Sequence, residues 1–292
     1  MRLDYHVLDV FTDRAFAGNP LAVVLDADEL STAAMQTVAR EFNLSETTFP
    51  LPASSAGADY RLRIFTPSTE LPFAGHPSVG SAWLLHSLGR IGDGQVVQEC
   101  GAGLLPVQIG SEEVTLTGGT PVVGEPLDVE PFCAAVGLSS VSTVGAATAA
   151  AIGTPVRWAG MGIDFAFLHV HDWALGETVP DLARLGELGH SGVAVFSYSQ
   201  GRAHARVFAV GAGVPEDPAT GSAALGLGVW LVASGLVPPD GESAYVVDQG
   251  IEMGRPSRLS CRVAAEAGRA VRGTVSGSVV PVARGQIEAP AD

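Results

Sequence analysis

The chain has 292 residues, 47% of them hydrophobic and 16% charged, with a formal net charge of −15 and a mean hydropathy of +0.29. This is the composition of a folded chain with a sizeable core, long enough for two domains of about 100–150 residues each. The acidic balance comes with no Lys/Arg cluster to face nucleic acid, and because all 16 basic residues are arginine there is no lysine for a pyridoxal Schiff base or a P-loop.

Taken in chain order, Leu3–Phe11 reads as a strand, followed by a turn at Gly18-Asn19-Pro20 and a second strand over Leu21–Leu25 in a hairpin-like unit. Ser31 is a suitable N-cap for a helix running to Phe42, whose Met35, Val38, Ala39 and Phe42 share one face. Asn43 is a reasonable left-handed stop. Glu46–Pro50 reads as a short strand, and Tyr60–Phe65 alternates strictly, as a strand with one buried face does. An apolar helix is expected over Ser78–Leu88, with Pro77 in its first turn. Strands near 95–99, 104–109 and 113–117 complete a first half at Gly118-Gly119.

The second half repeats this grammar. Ala205-Arg206-Val207-Phe208, a glycine-rich connection, Asp217-Pro218-Ala219-Thr220-Gly221-Ser222 and an apolar helix to Ser234 match Arg63-Ile64-Phe65, Ala74-Gly75-His76 and the helix after them. Each helix holds one tryptophan, Trp83 or Trp230. The match is loose, because the loops differ by three residues and the tryptophans are one position out of register. Two similar halves would set two helix N-termini across a cleft.

A helix N-terminus offers unpaired amides and partial positive charge, and glycine lets a ligand approach its backbone. Gly75 and Gly221 therefore suit a small carboxylate or a developing enolate. On spacing alone Glu46 reads as an exposed edge carboxylate; buried, it could exchange protons with carbon. His76 and Asp217 likewise admit plain readings, as a satisfied histidine and as a turn or cap residue. His169-Val170-His171 places two imidazoles on one strand face with only Asp172 nearby, so no metal is expected. The glycines of 201–213 lack the dinucleotide fingerprint, and no GxSxG elbow is present. The uncharged run from Phe132 to Val156 reads as a small-residue helix and loop rather than a membrane span. No signal pattern opens the chain, and its three cysteines, Cys100, Cys133 and Cys261, suggest neither a disulfide scaffold nor a zinc site. The expected compartment is cytoplasmic, and no membrane or nucleic-acid partner is expected.

Five ordered blocks make the chain resemble the PhzF family of phenazine-biosynthesis-like proteins. They are Phe16-Ala17-Gly18-Asn19-Pro20-Leu21-Ala22-Val23, Asn43-Leu44-Ser45-Glu46-Thr47-Thr48-Phe49, Glu70-Leu71-Pro72-Phe73-Ala74-Gly75-His76-Pro77, Glu216-Asp217-Pro218-Ala219-Thr220-Gly221-Ser222-Ala223-Ala224 and Gln249-Gly250-Ile251-Glu252-Met253-Gly254-Arg255-Pro256-Ser257. The resemblance implies an α/β (α+β) diaminopimelate-epimerase-like fold of two pseudo-symmetric halves, each a sheet around a central helix. The halves would be 1–118, completed by 278–292, and 119–277, with the active site between them and a homodimer as the usual assembly. It also implies a cofactor-free isomerase moving a proton between carbons of a small anionic metabolite. Glu46 would be its acid/base, His76 and Asp217 polar partners, Gly75 and Gly221 backbone donors, and Ser222 and Asn19 substrate-binding residues. The related epimerases carry a cysteine before each glycine turn. Here Ala74 and Thr220 stand there, so a two-thiol racemase is untenable. A non-catalytic metabolite-binding protein, and a related lyase or epimerase chemistry, remain as alternatives.

Overall fold

The computed structural model describes residues 1–139, 142–144, 154–189 and 191–290. The chain divides into two compact units, Met1–Thr117 joined by the closing segment from Ser276 onward, and Gly118–Val275.

In the first unit the elements are β1 (Arg2–Val10), β2 (Asn19–Val24), α1 (Thr32–Phe42), β3 (Glu46–Leu51), β4 (Tyr60–Phe65), β5 (Glu70–Leu71), α2 (Gly75–Ser87), β6 (Gly94–Cys100), β7 (Gly103–Ile109) and β8 (Val114–Thr117). The unit's sheet begins at β18 (Val279–Glu288), which lies antiparallel to β1. β1 pairs antiparallel with β2, β2 parallel with β3, β3 antiparallel with β4, β4 parallel with β6, and β6 and β7 continue antiparallel to β8.

Helix α1 forms where the local signals place it. Ser31 Oγ accepts the Ala34 amide at 3.2 Å, and Asn43 stops the helix in the left-handed region at φ 52°. Its apolar face packs with Leu3, Val24, Phe49 and Phe65. Helix α2 packs against β1, β2, β3, β4, β7, β8 and β18 and is buried from Gly75 through Ala82. A helix this apolar on every side needs a sheet curled around it rather than one packing face. Strands β3 and β4 therefore lie between α1 and α2, with a neighbouring strand on each edge.

In the second unit come β9 (Pro121–Val123), α3 (Glu130–Ala135), β10 (Arg157–Met161), β11 (Asp164–His169), α4 (Asp172–Glu177), α5 (Leu182–Glu187), β12 (Val193–Ser199), β13 (Arg202–Ala209), β14 (Val214–Asp217), α6 (Gly221–Ala233), β15 (Gly241–Gln249), β16 (Ser257–Glu266) and β17 (Arg269–Gly277). The pairing senses of the first unit recur: β10–β11 antiparallel, β11–β12 parallel, β12–β13 antiparallel, β13–β15 parallel and β15–β16 antiparallel. The central helix is now α6, which packs against β9, β10, β11 and β16. Like α2, it has 13 residues and opens on glycine.

Matching registers extend the repeat to single positions. Thr47 faces Phe65 as Val193 faces Phe208, and Arg61 faces Glu99 as His204 faces Asp248. Each Arg-x-Phe arginine lies over its own phenylalanine, Arg63 at 5.1 Å from the Phe65 centroid and Arg206 at 5.3 Å from that of Phe208. Each also grips, with two prongs, a glutamate five residues ahead of the helix glycine. Arg63 holds Glu70 at 2.7 Å twice, and Arg206 holds Glu216 at 2.8 and 2.9 Å.

Several sequence-based expectations need correction. Asn19 and Pro20 belong to β2 rather than to a turn; the connection from β1 is Phe11–Gly18, held by the Asp9 carboxylate accepting the Phe16 amide at 2.6 Å. Helix α2 begins at Gly75, three residues earlier than its apolar run suggests, so His76 lies in its first turn. The small-residue helix and loop expected over 132–156 falls in part on residues 140, 141 and 145–153, outside those described; α3 occupies its beginning. Among the described residues no helix is long and apolar enough to cross a membrane.

Candidate active site

Glu46 opens β3, beside Leu21 of the parallel β2. The exposed edge reading fails here: strands flank β3 on both sides and helices cover both faces, leaving Glu46 only 9% exposed. His76, 4% exposed, projects from the first turn of α2. Its Nε2 lies 3.4 Å from Glu46 Oε2.

That distance lies in the ion-pair range, but burial pushes the His76 pKa down to about 3, so the imidazole is neutral at pH 7. A hydrogen bond to the backbone of Pro20 opposes the shift. Proline has no N–H, so the ring is the donor and the Pro20 carbonyl the acceptor. With Nε2 outside any hydrogen bond, Nδ1 is the nitrogen that donates. Its only proton is thereby engaged, and Nε2 turns a lone pair toward the Glu46 carboxyl.

Asn19, fully buried at the start of β2, accepts the Ser45 hydroxyl at 3.2 Å on Oδ1. The first unit thus gathers Asn19, Ser45, Glu46 and Gly75-His76 around the starts of β2, β3 and α2. Neither α2 nor α6 has a side-chain cap, although Ala74 and Thr220 occupy the two cap positions. Thr220 has a hydroxyl that could cap but directs it to Asp217 Oδ2 at 2.5 Å. Asp217, at the end of β14, is buried with Thr220 and Ser222.

The repeat makes the two sets chemically different. Register places Gly192 at the position equivalent to Glu46, and a Cβ there would lie 2.3 Å from the Phe208 carbonyl oxygen. No side chain fits at that point. Counting from the helix glycines, Ser222 stands for His76, and Leu71 stands for Asp217. The carboxyl–imidazole pair therefore belongs to the first unit alone, and the loop carboxylate to the second.

The two histidines weighed as metal ligands have packing roles. His169 stacks on Phe196 at 4.9 Å, meets Trp230 edge-on and shares a 3.0 Å hydrogen bond with Thr154 Oγ1. Burial, and secondarily the charge of His171, lowers its pKa to about 4. His171 stacks on Trp173. Among the described residues no group of three or more His, Cys, Asp or Glu side chains is arranged to hold a metal ion. Local reading missed the Pro20 carbonyl, Ser45 and the contacts of Gln249, although all three residues lie inside the ordered blocks.

A sheet curled around a buried helix, built twice in one chain, defines the diaminopimelate-epimerase-like class. A crystal structure of a hydroxyproline epimerase from Agrobacterium vitis shares this fold, with a TM-score of 0.67 at 16% identity over 98% of this chain and 92% of the other. Within that class the chain belongs to the phenazine biosynthesis-like (PhzC-PhzF) family, whose model matches residues 8–285. It is 35% identical to a trans-2,3-dihydro-3-hydroxyanthranilate isomerase from Pseudomonas chlororaphis over 97% of this chain and 98% of that one. The crystal structure of a PhzF-family phenazine biosynthesis protein from Bacillus anthracis superposes with a TM-score of 0.87, at 25% identity and 99% coverage of both chains. The protein is an enzyme of the isomerase class.

Proposed function

We propose that this isomerase moves a proton between two carbons of a small carboxylic acid without a cofactor, using Glu46 as its single acid/base. The observation that carries the reading is the buried contact between Glu46 Oε2 and a neutral His76 whose Nε2 can only accept. The Glu46 carboxylate takes a proton from substrate carbon and becomes a carboxylic acid. His76 Nε2 can receive a hydrogen bond from that acid and hold it in place. The electron pair left by the C–H bond shifts through the adjacent double bond, and Glu46 returns the proton to the far carbon. Nothing is oxidised or reduced, and no second base is needed.

Two features support an anionic substrate. The uncapped starts of α2 and α6 present amides that suit a carboxylate or enolate-like oxygen. Asn19, Asp217 and Ser222 are assigned to bind the substrate's polar groups. Asp217 matches an amino or hydroxyl donor.

The test uses trans-2,3-dihydro-3-hydroxyanthranilate, the compound named for the Pseudomonas chlororaphis relative, and a panel of unsaturated carboxylic acids, all in deuterated water. Wild-type protein should carry deuterium from solvent into a carbon position. Glu46→Gln should abolish both turnover and exchange with an unchanged circular dichroism spectrum. A Glu46→Gln protein that kept most of its activity would remove Glu46 from the chemistry.

A further inference from the structure

Gln249 ends β15 and is 1% exposed, yet the proton transfer makes no use of it. Its amide meets three groups of the loop before α6. Oε1 accepts the Thr220 backbone N–H at 3.2 Å, while Nε2 donates to the Asp217 carbonyl at 2.7 Å and to Thr220 Oγ1 at 3.0 Å. A backbone N–H can only donate and a carbonyl can only accept, so the amide has one possible orientation.

That orientation fixes the next bond. Because Nε2 donates to Thr220 Oγ1, the hydroxyl's own hydrogen is directed to Asp217 Oδ2. The hydroxyl that would ordinarily cap the helix is thereby withdrawn from it. We propose that Gln249 and Thr220 form a positioning relay, which aims the Asp217 carboxylate at the substrate and keeps the first amides of α6 uncapped for the substrate's anionic group. This rests on the reading of Asp217 as a substrate-binding residue.

Two observations separate the relay from ordinary core packing. First, the strand end carrying Gln249 is docked rigidly on the loop it serves. Gly250 has φ +73°, and a Cβ there would lie 2.6 Å from the Pro218 carbonyl oxygen and 2.5 Å from that of Arg255. Second, the other unit repeats the docking but not the relay. A Cβ on Gly101 would lie 2.8 Å from Pro72 Cα, matching the approach of Gly250 to Pro218. The residue before Gly101 is Cys100, and the loop it adjoins carries Leu71 and Ala74 where the second unit has Asp217 and Thr220. A device needed only to close the fold would occur in both units. This one occurs where there is a carboxylate to aim.

The experiment compares Thr220→Val, which is nearly isosteric but has no hydroxyl, with Thr220→Ser, which restores it, and with Gln249→Glu, which cannot donate. Crystal structures give a readout independent of turnover. Asp217 should leave its present side-chain conformation in Thr220→Val and Gln249→Glu and keep it in Thr220→Ser. With trans-2,3-dihydro-3-hydroxyanthranilate, kcat/KM should fall by about 10–100-fold in the first two, the usual scale for losing a hydrogen bond to a charged group, chiefly through KM. Thr220→Ser should recover most of it. An unmoved Asp217 in both disruptive variants, or equal losses in Thr220→Val and Thr220→Ser, overturns the relay. Failure of the isomerase reading would show separately, as Glu46→Gln retaining turnover, and leaves the crystallographic result to decide this inference.

Discussion

Replacing His76 with Asn tests the electrostatics of the buried pair without requiring a substrate. Asparagine can still present an N–H where Nδ1 stands, so the bond to the Pro20 carbonyl can survive, while the titrating ring and its Nε2 are lost. The ordinary histidine value is 6.5, and burial lowers that of His76 to about 3. Between these values the unfolded chain binds a proton at this residue that the folded chain does not. Stability from this group is therefore fully present above pH 6.5 and is lost as pH falls toward 3. At pH 5 the gap to 6.5 is about 1.5 units, which at 1.36 kcal/mol per unit costs the native state about 2 kcal/mol relative to pH 7. Urea unfolding of wild-type and His76→Asn proteins at pH 7 and pH 5 measures this directly. The wild type should lose about 2 kcal/mol more than the variant over that interval. His169, also depressed by burial, is common to both proteins and cancels from the difference. Equal losses would refute a buried neutral imidazole at position 76, and with it the acceptor role of Nε2.

Two further predictions use the repeat as an internal control. The Arg206 and Glu216 side chains are 9% and 17% exposed, and Arg206 also donates to the Leu175 and Thr178 carbonyls at 3.1 and 2.8 Å. Arg206→Met strands all three acceptors and should cost about 3–5 kcal/mol. In the equivalent pair Glu70 is 39% exposed, so water can replace the lost guanidinium and Arg63→Met should cost about 1 kcal/mol. Urea unfolding gives both values, and similar losses would refute the ordering by burial. Gly250→Ala meets two carbonyl oxygens in the left-handed region and should destabilise the protein by about 2 kcal/mol or more. It should also lower kcat/KM on the same probe by displacing Gln249, and an alanine tolerated without loss would argue against rigid docking.

The residues differ in how far the sequence alone could place them. Helix α1 was legible to its last residue because Ser31, Asn43 and a four-position apolar face all act within one or two turns. Strand β4 was legible from its strict alternation. The start of α2 was not, since Gly75-His76-Pro77 resembles a turn by composition and becomes helical in a buried setting. Spacing alone leaves Glu46 reading as an exposed edge carboxylate, because nothing in Ser45-Glu46-Thr47 reveals that β3 has strands on both sides and helices on both faces. The repeat was visible as Arg-x-Phe and a glycine turn, but the two Arg–Glu grips and the vacancy at Gly192 emerged only from strand register.

Sequence by itself therefore determined the family, through five ordered blocks, and the chemistry the chain lacks, through absent lysines and the Ala74 and Thr220 that replace paired thiols. It also determined the elements whose hydrogen bonds and periodicity close within a few residues. Tertiary structure decided which polar groups are buried and which meet: Glu46 with His76 30 residues away, and Gln249 with Asp217 and Thr220 about 30 residues back. Those contacts depend on strand pairings that a local pattern does not encode. Burial then sets the protonation state of His76, and so what the carboxyl beside it can do.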